Sequence, residues 1–441
     1  MHTLETLRAG ELVGIKRLDL AADLTEFPLE IFDLADSLEV LNLSGNLLSD
    51  LPPDLSRLHK LRIIFCSDNR FTHVPEVLGQ CAHLEMIGFK ANQITHLSAK
   101  ALPSKLRWLI LTDNRLQQLP AEIGTCTQLQ KLMLSGNRLR ELPEEMAGCS
   151  RLELLRIAAN RFERLPDWLL RLPRLAWLAF AGNPFSDAIE KEVMAGLRVN
   201  PIDWNSLVVQ HVLGEGASGI IYRAHRTTEQ GVHPVAVKVF KGAVTSDGLP
   251  RSEKSACMVA GEHPNLIPVH GRLHGHPADA IGMVMPLIDS SFINLAGPPS
   301  LESCTRDIYE PDARFSLAQL LGIAQGVASA AAHLHAKGVM HGDLYAHNIL
   351  WNEKGECLLG DFGAASFLPT HDEELKQGLQ GVEVRAFGCL LEELLIRWDV
   401  QSREQSSFNA ISALQQRCVQ TPNQARPMFK EIVEELSVLV A

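Results

Sequence analysis

Along the first 185 residues, apolar and polar positions recur with one long period rather than with the short period of a single helix or strand. The segments LEVLNLSGNLLSDLP from Leu38, LRIIFCSDNRFTHVP from Leu61 and LEMIGFKANQITHLS from Leu84 are copies of one pattern. It continues in LRWLILTDNRLQQLP from Leu106, LQKLMLSGNRLRELP from Leu129 and LELLRIAANRFERLP from Leu152. A degenerate copy opens at Ile15 and a truncated one, LAWLAFAGNPF, at Leu175. The starts lie 23 residues apart, with one step of 22, which gives eight units. The alternation at the head of each unit predicts one short strand, with leucines such as Leu109 and Leu111 turned inward. A unit this small cannot bury its own apolar face, so neighbours must stack into a solenoid. From the second unit on, an asparagine leaves each strand: Asn46, Asn69, Asn92, Asn114, Asn137, Asn160 and Asn183. A buried amide there can hydrogen-bond the backbone of adjacent turns and form a ladder.

The pattern LxxLxLxxNxLxxLP resembles that of the leucine-rich repeats, which implies an α/β horseshoe solenoid over residues 1–185. The third and fifth positions of each repeat are expected to face outward on the concave side. They are apolar in most copies, with Ile63, Phe65, Trp108, Ile110 and Trp177 the largest of them. Such a stripe implies a cover, either a protein partner or the chain's own second half.

After Phe185 the period stops. SDAIEKEVMAGLRVNPIDW predicts a capping helix and linker over residues 186–206. In LVVQHVLGEGASGIIYRAH, Gly214, Gly216 and Gly219 have GxGxxG spacing. Dinucleotide-binding folds place a helix after these glycines, whereas IIYRAH is β-branched and aromatic and predicts a returning strand. Two strands joined by such a turn make a flap whose backbone amides can approach phosphates.

Lys238 follows in PVAVKVF, and from there the order of motifs resembles that of the protein kinases: HPNLIPVHG, GMVMPL, HGDLYAHNIL, GDFGAASF and RCVQTPNQARPMFKEIVEEL. The last of these resembles the tyrosine-kinase-like group. The resemblance implies a bilobal α+β kinase-like domain over residues 207–441 with ATP and Mg²⁺ as cofactors. It implies that Gly214, Gly216 and Gly219 lie over the phosphates, with Leu213 and Ile221 above the adenine and Met285 at the hinge. Lys238 would hold the α- and β-phosphates and be held by a carboxylate. Glu253 is the expected partner, with Glu262 the competitor. Asp343 would orient and deprotonate the attacking hydroxyl, and Asn348 and Asp361 would bind magnesium.

Departures from the family pattern are also plain. Gly342 stands where an arginine usually precedes the catalytic aspartate, which removes the usual route to activation by a phosphorylated loop. Tyr345 and His347 occupy the places of the usual basic residue, and no APE motif follows Asp361. Glu383 begins EVRAFG, which resembles the helix-opening DVWSFG of the family. Arg426 would lack its usual glutamate unless Glu373 or Glu374 substitutes.

Composition narrows the classes. A net charge of −11 argues against general binding to nucleic acid or anionic lipid. No secretory signal or stretch of about 18 apolar residues is visible, so a cytoplasmic location without a membrane span is expected. Nine cysteines without a CxxC pair read as reduced, buried thiols. The function expected is an ATP-dependent protein kinase acting on Ser/Thr, or also Tyr, with the repeats as its recognition arm. Its domain order resembles that of multidomain kinase-like proteins of bacteria. The alternatives are a nucleotide-binding pseudokinase whose repeats form a scaffold, and a small-molecule kinase.

Overall fold

The computed structural model describes residues 2–197, 200–216, 218–242, 244–245, 247–399 and 404–440. Arg198 and Val199 of the expected linker lie outside the described residues. The chain divides into two compact units, Met1–Arg174 and Leu175–Ala441, so the eighth repeat copy belongs to the second.

The first unit opens with a short helix, α1 (Leu4–Arg8), followed by seven strands. These are β1 (Arg17–Asp19), β2 (Val40–Asn42), β3 (Ile63–Phe65), β4 (Met86–Gly88), β5 (Trp108–Ile110), β6 (Lys131–Met133) and β7 (Leu154–Arg156). They pair in parallel in chain order, without register shift from Arg17 to Arg156. The inward leucines, Leu109 and Leu111 among them, have no exposed surface. The asparagine ladder is built from three-way contacts. Asn137 Oδ1 accepts from Leu116 N at 3.0 Å, while its Nδ2 donates to Leu111 O and Leu134 O at 2.8 and 3.0 Å. Each asparagine from Asn46 to Asn160 thus ties its own turn to the one before, satisfying backbone groups that have no water to turn to. Cys81, Cys126 and Cys149 are buried in the same structural slot, and burial pushes the first two thiols up to about 11 and the third to about 12.

The stripe expected to be outward is less open than its spacing implies. Ile63 is buried between Val40 and Met86, which stand beside it in register on the neighbouring strands. Phe65, Trp108 and Ile110 are half-buried. The Phe65 ring fills the place above Gly88 that a side chain would occupy, and the Lys131 ammonium lies 4.3 Å over the Trp108 ring.

The second unit begins with β8 (Trp177–Ala179) and α2 (Pro184–Ala195), the latter capped by Asn183 and Ser186 in a reciprocal box. The expected linker then forms an edge strand, β9 (Pro201–Asp203), that pairs in parallel with β13 (Gly271–His274). Its Ile202 enters a core with Leu207, Val235, Val237 and Val284, so this connection is structural. The sheet runs β10 (Leu207–Glu215), β11 (Gly219–Thr228), β12 (Gly231–Phe240), β14 (Gly282–Pro286), β13, β9, with α3 (Pro250–Ala260) between β12 and β13 in the chain. Beyond it lie β15 (Ile293–Asn294), α4 (Leu317–Ala336), β16 (Val339–Met340), β17 (Ile349–Trp351), β18 (Cys357–Leu359) and β19 (Ser366–Phe367). Three helices close the chain: α5 (Glu373–Ile396), α6 (Gln405–Val419) and α7 (Phe429–Val440). By length and composition α4 is apolar enough to cross a membrane, but 56% of its apolar window is buried, in part against α7.

Candidate active site

Lys238 sits on β12, opposite Ile221 of β11 and Met283 of β14, at the centre of the antiparallel sheet. Alternation along the strand turns Val235 and Val237 to the core and Lys238 to the other face. That face walls a cavity of about 300 Å³ lined by Leu213, Ile221, Ala236, Met283, Met285 and Leu350, with Glu253 and Asp361 at its polar end. The lysine donates to Glu253 Oε1 and lies 4.0 Å from Asp361 Oδ1. Burial alone would lower its pKa, but the facing carboxylates of Glu253 and Asp361 raise it, so the ammonium is held charged. Burial, reinforced by Asp361, pushes Glu253 up to about 7 against the pull of Lys238. Glu262, the competing partner, is exposed beyond the end of α3.

The three glycines of the flap have different jobs. Side chains at Gly214 and Gly216 would meet nothing within 4 Å, so the backbone there is bare toward an incoming group. At Gly219 a Cβ would stand 3.2 Å from Phe240 Cα, and only glycine lets β11 lie that close to β12. The turn is closed by Gly216 N donating to Gly219 O at 2.9 Å.

The loop between β16 and β17 carries Asp343 and Asn348. Asn348 Nδ2 donates to the Asp343 carboxylate at 2.8 Å and to its backbone carbonyl at 2.9 Å. The amide nitrogen being committed, the Asn348 oxygen is the end suited to a cation. Asp361 is half-exposed, and Gly363 N donates to its Oδ1 at 3.2 Å. His341, fully buried, links the two loops through Nε2 and Gly360 O, 2.8 Å apart. Among the described residues no cluster of three His, Cys, Asp or Glu side chains could hold a metal. The donors fit an ion that takes one carboxylate and one amide oxygen and completes its shell from phosphates and water, as Mg²⁺ does.

Residues 207–387 match the protein tyrosine and serine/threonine kinase family, and residues 37–58, 104–162 and 127–185 match leucine-rich repeats. The chain joins leucine-rich repeats to a protein kinase domain. It is 26% identical over 285 residues to ephrin type-B receptor 4a of Danio rerio, across 54% of this chain and 27% of that one. It is 29% identical over 154 residues to cyclin-dependent kinase 11.1 of Caenorhabditis elegans, across 34% of this chain and 20% of that one. The serine/threonine-protein kinase PITSLRE of Drosophila melanogaster is 30% identical over 155 residues, 34% of this chain and 15% of that one. The chain thus spans about a quarter or less of the length of these relatives.

The kinase domain differs from sequence expectation at several places. Glu383 lies inside α5 rather than at its start, because Asp372 caps a helix that begins ten residues earlier, at Glu373. From inside that helix Glu383 Oε1 accepts from Gly342 N at 2.7 Å, and its Oε2 lies 2.7 Å from His335 Nε2. Burial would raise its pKa, yet these two partners hold it below the usual range. Arg426 finds main-chain partners instead of the missing glutamate, donating to Gly381 O at 2.7 Å and Gln420 O at 3.0 Å. Glu373 instead pairs with Lys376.

One partner escaped the sequence reading. The buried Asp307 carboxylate lies 2.7 Å from His347 Nδ1 and accepts from His347 N at 3.0 Å. Burial works against the imidazolium, but Asp307 outweighs it and raises the His347 pKa. Trp177, expected on an open concave face, is buried in the kinase unit at 1% exposure. Its ring stacks on Tyr345 at 4.1 Å and its indole N–H donates to Leu344 O at 3.1 Å. Of the two covers expected for Trp177, the one present is the chain's own Leu344–Tyr345 segment, which leaves no open face there for an outside partner.

Proposed function

We propose that the protein is an ATP- and Mg²⁺-dependent protein kinase acting on serine or threonine hydroxyls, with tyrosine also within reach of the chemistry, on a protein brought in by the repeats. A cytoplasmic location belongs to the same reading. The observation that carries it is Lys238 set between Glu253 and Asp361 at the polar end of an apolar cavity. Phosphoryl transfer asks a protein mainly for positioning and for neutralising charge, and these groups supply both. Lys238, fixed by Glu253, meets phosphate oxygens with a charge that needs no reorganisation. Asp343, oriented by Asn348, receives the attacking hydroxyl and accepts its proton. Mg²⁺, held by Asn348 and Asp361, would supply further charge neutralisation at the phosphates.

Only Ala364 to Asp372 separate the DFG motif from α5, a short stretch on which to build a peptide groove. That shortness favours a small-molecule acceptor as the second reading. The deciding experiment incubates the full chain with Mg²⁺ and labelled ATP, against generic protein acceptors and a metabolite panel. Label on protein that disappears in Asp343→Asn supports the first reading. Label on small molecules alone moves the assignment to the second, and nucleotide binding with no transfer to either makes the domain a pseudokinase.

A further inference from the structure

The eighth repeat copy and α2 touch three parts of the catalytic machinery at once. Trp177 clamps the peptide next to Asp343, with its indole N–H on Leu344 O and its ring flat against Tyr345, the planes 7° apart. One residue on, the Leu178 carbonyl oxygen stands 2.7 Å from where a Cβ on Gly342 would be, and Ala364 O stands 2.6 Å from it. Gly342 has φ of 75°, so geometry and space both restrict the position to glycine. Phe180 N then donates to the buried Ser366 Oγ in β19, at 3.1 Å, which ties the segment after the DFG motif to the same strand. Finally α2 grips the start of α3. Arg251 Nη2 donates to both carboxylate oxygens of Asp187, at 2.8 and 3.0 Å, and Glu190 accepts from Ser252 Oγ at 2.8 Å. Arg251 and Ser252 are the two residues before Glu253.

We propose that residues 175–195 are a built-in positioning element of the kinase domain, which sets the catalytic loop through Trp177 and Glu253 through the Asp187–Arg251 pair. This rests on the phosphoryl-transfer reading. The β8 backbone occupies the space into which a side chain at position 342 would project. An arginine there and this strand exclude one another. A contact written permanently into the fold thus takes the place of a charge-dependent one. Trp177 and Asp187 touch no reacting atom; they act through Leu344, Tyr345 and Arg251.

The test is a charge swap in the full-length chain, at a pair whose side chains are both partly exposed. Asp187→Arg and Arg251→Asp are each expected to lower kcat at least fivefold with KM for ATP shifted less. Each is also expected to speed amide hydrogen exchange at Arg251–Cys257, and the double variant is expected to restore both. Trp177→Ala is expected to lower kcat about tenfold and speed exchange at Leu344–His347, while Trp177→Phe, keeping the stack, recovers most of it. The idea is overturned if the single swaps leave kcat and exchange unchanged, or if the double variant is no better than the singles. Should the wild-type chain transfer no phosphate to any acceptor, the kinase reading fails. Exchange alone then decides the positioning role by the same criteria.

Discussion

Glu253 carries a pH dependence that its neighbours make specific. Its folded pKa, raised to about 7 from an ordinary 4.5, leaves it protonated below neutrality, where it no longer fixes Lys238 as an anion. Activity is therefore expected to rise through pH 6 to 8, with the acid limb centred near 7 and flattened in Glu253→Gln, as kcat/KM profiles would show. The linkage sign is opposite for stability. Between the ordinary value and about 7 the folded chain holds a proton that the unfolded chain has released, so this group favours folding less as pH rises through that window. The places of Lys238, Asp343, Asn348 and Asp361 could be read from the order of the motifs that carry them. Glu253 was legible from its distance to the next motif. Asp307 was not, since it lies in an irregular segment 40 residues before its histidine, and no local pattern marks it.

Among elements, the asparagine ladder and the segment after the DFG motif make contrasting demands. Asn137→Ala would strand Leu116 N in a dry interior, while Leu111 O and Leu134 O keep the amides of Asn114 and Asn160. Leaving a buried donor without a partner costs about 1–3 kcal/mol, so a loss of about that size is expected in denaturant unfolding of the repeat unit. Phosphatase treatment is expected to leave the rate within about twofold, because Gly342 offers no cation to a phosphorylated loop. A tenfold drop in a paired assay would contradict this. Repeat strands were legible as one per unit because their period is enforced by stacking. The start of α5 was not: EVRAFG suggested a helix opening, but Asp372 caps earlier and draws EELKQGLQG into the helix. The role of β9 as a sheet edge was hidden as well, since PID is too short to show alternation.

For the molecule as a whole, both fold classes could be read from sequence: one from self-similarity, the other from an ordered series of motifs. The outward stripe is smaller than its spacing implied, since Ile63 and Trp177 are buried. The spacing rule says which way a side chain leaves its strand, not what lies over it, and Trp177 leaves β8 only to meet a loop 167 residues away in the chain. What is left for an outside protein is the half-buried group of Phe65, Trp108 and Ile110. If these seat a partner, Trp108→Ala should weaken its capture by about tenfold or more without lowering the melting temperature of the repeat unit. Unchanged affinity for a partner identified by crosslinking to this face would rule the group out as its seat.

The boundary between Arg174 and Leu175 bears on how such a gene could be lengthened, shortened or recombined. A junction drawn where the repeat consensus ends, after Phe185, would cut through α2 and separate the catalytic loop from Trp177. A junction before Leu175 passes between the seventh and eighth copies and carries the eighth with the kinase. Copies upstream can be duplicated or lost one at a time, changing the reach of the recognition arm. The last copy inherits a second constraint and is not free to drift with its siblings. In descent it should follow the kinase rather than the repeats it was copied from.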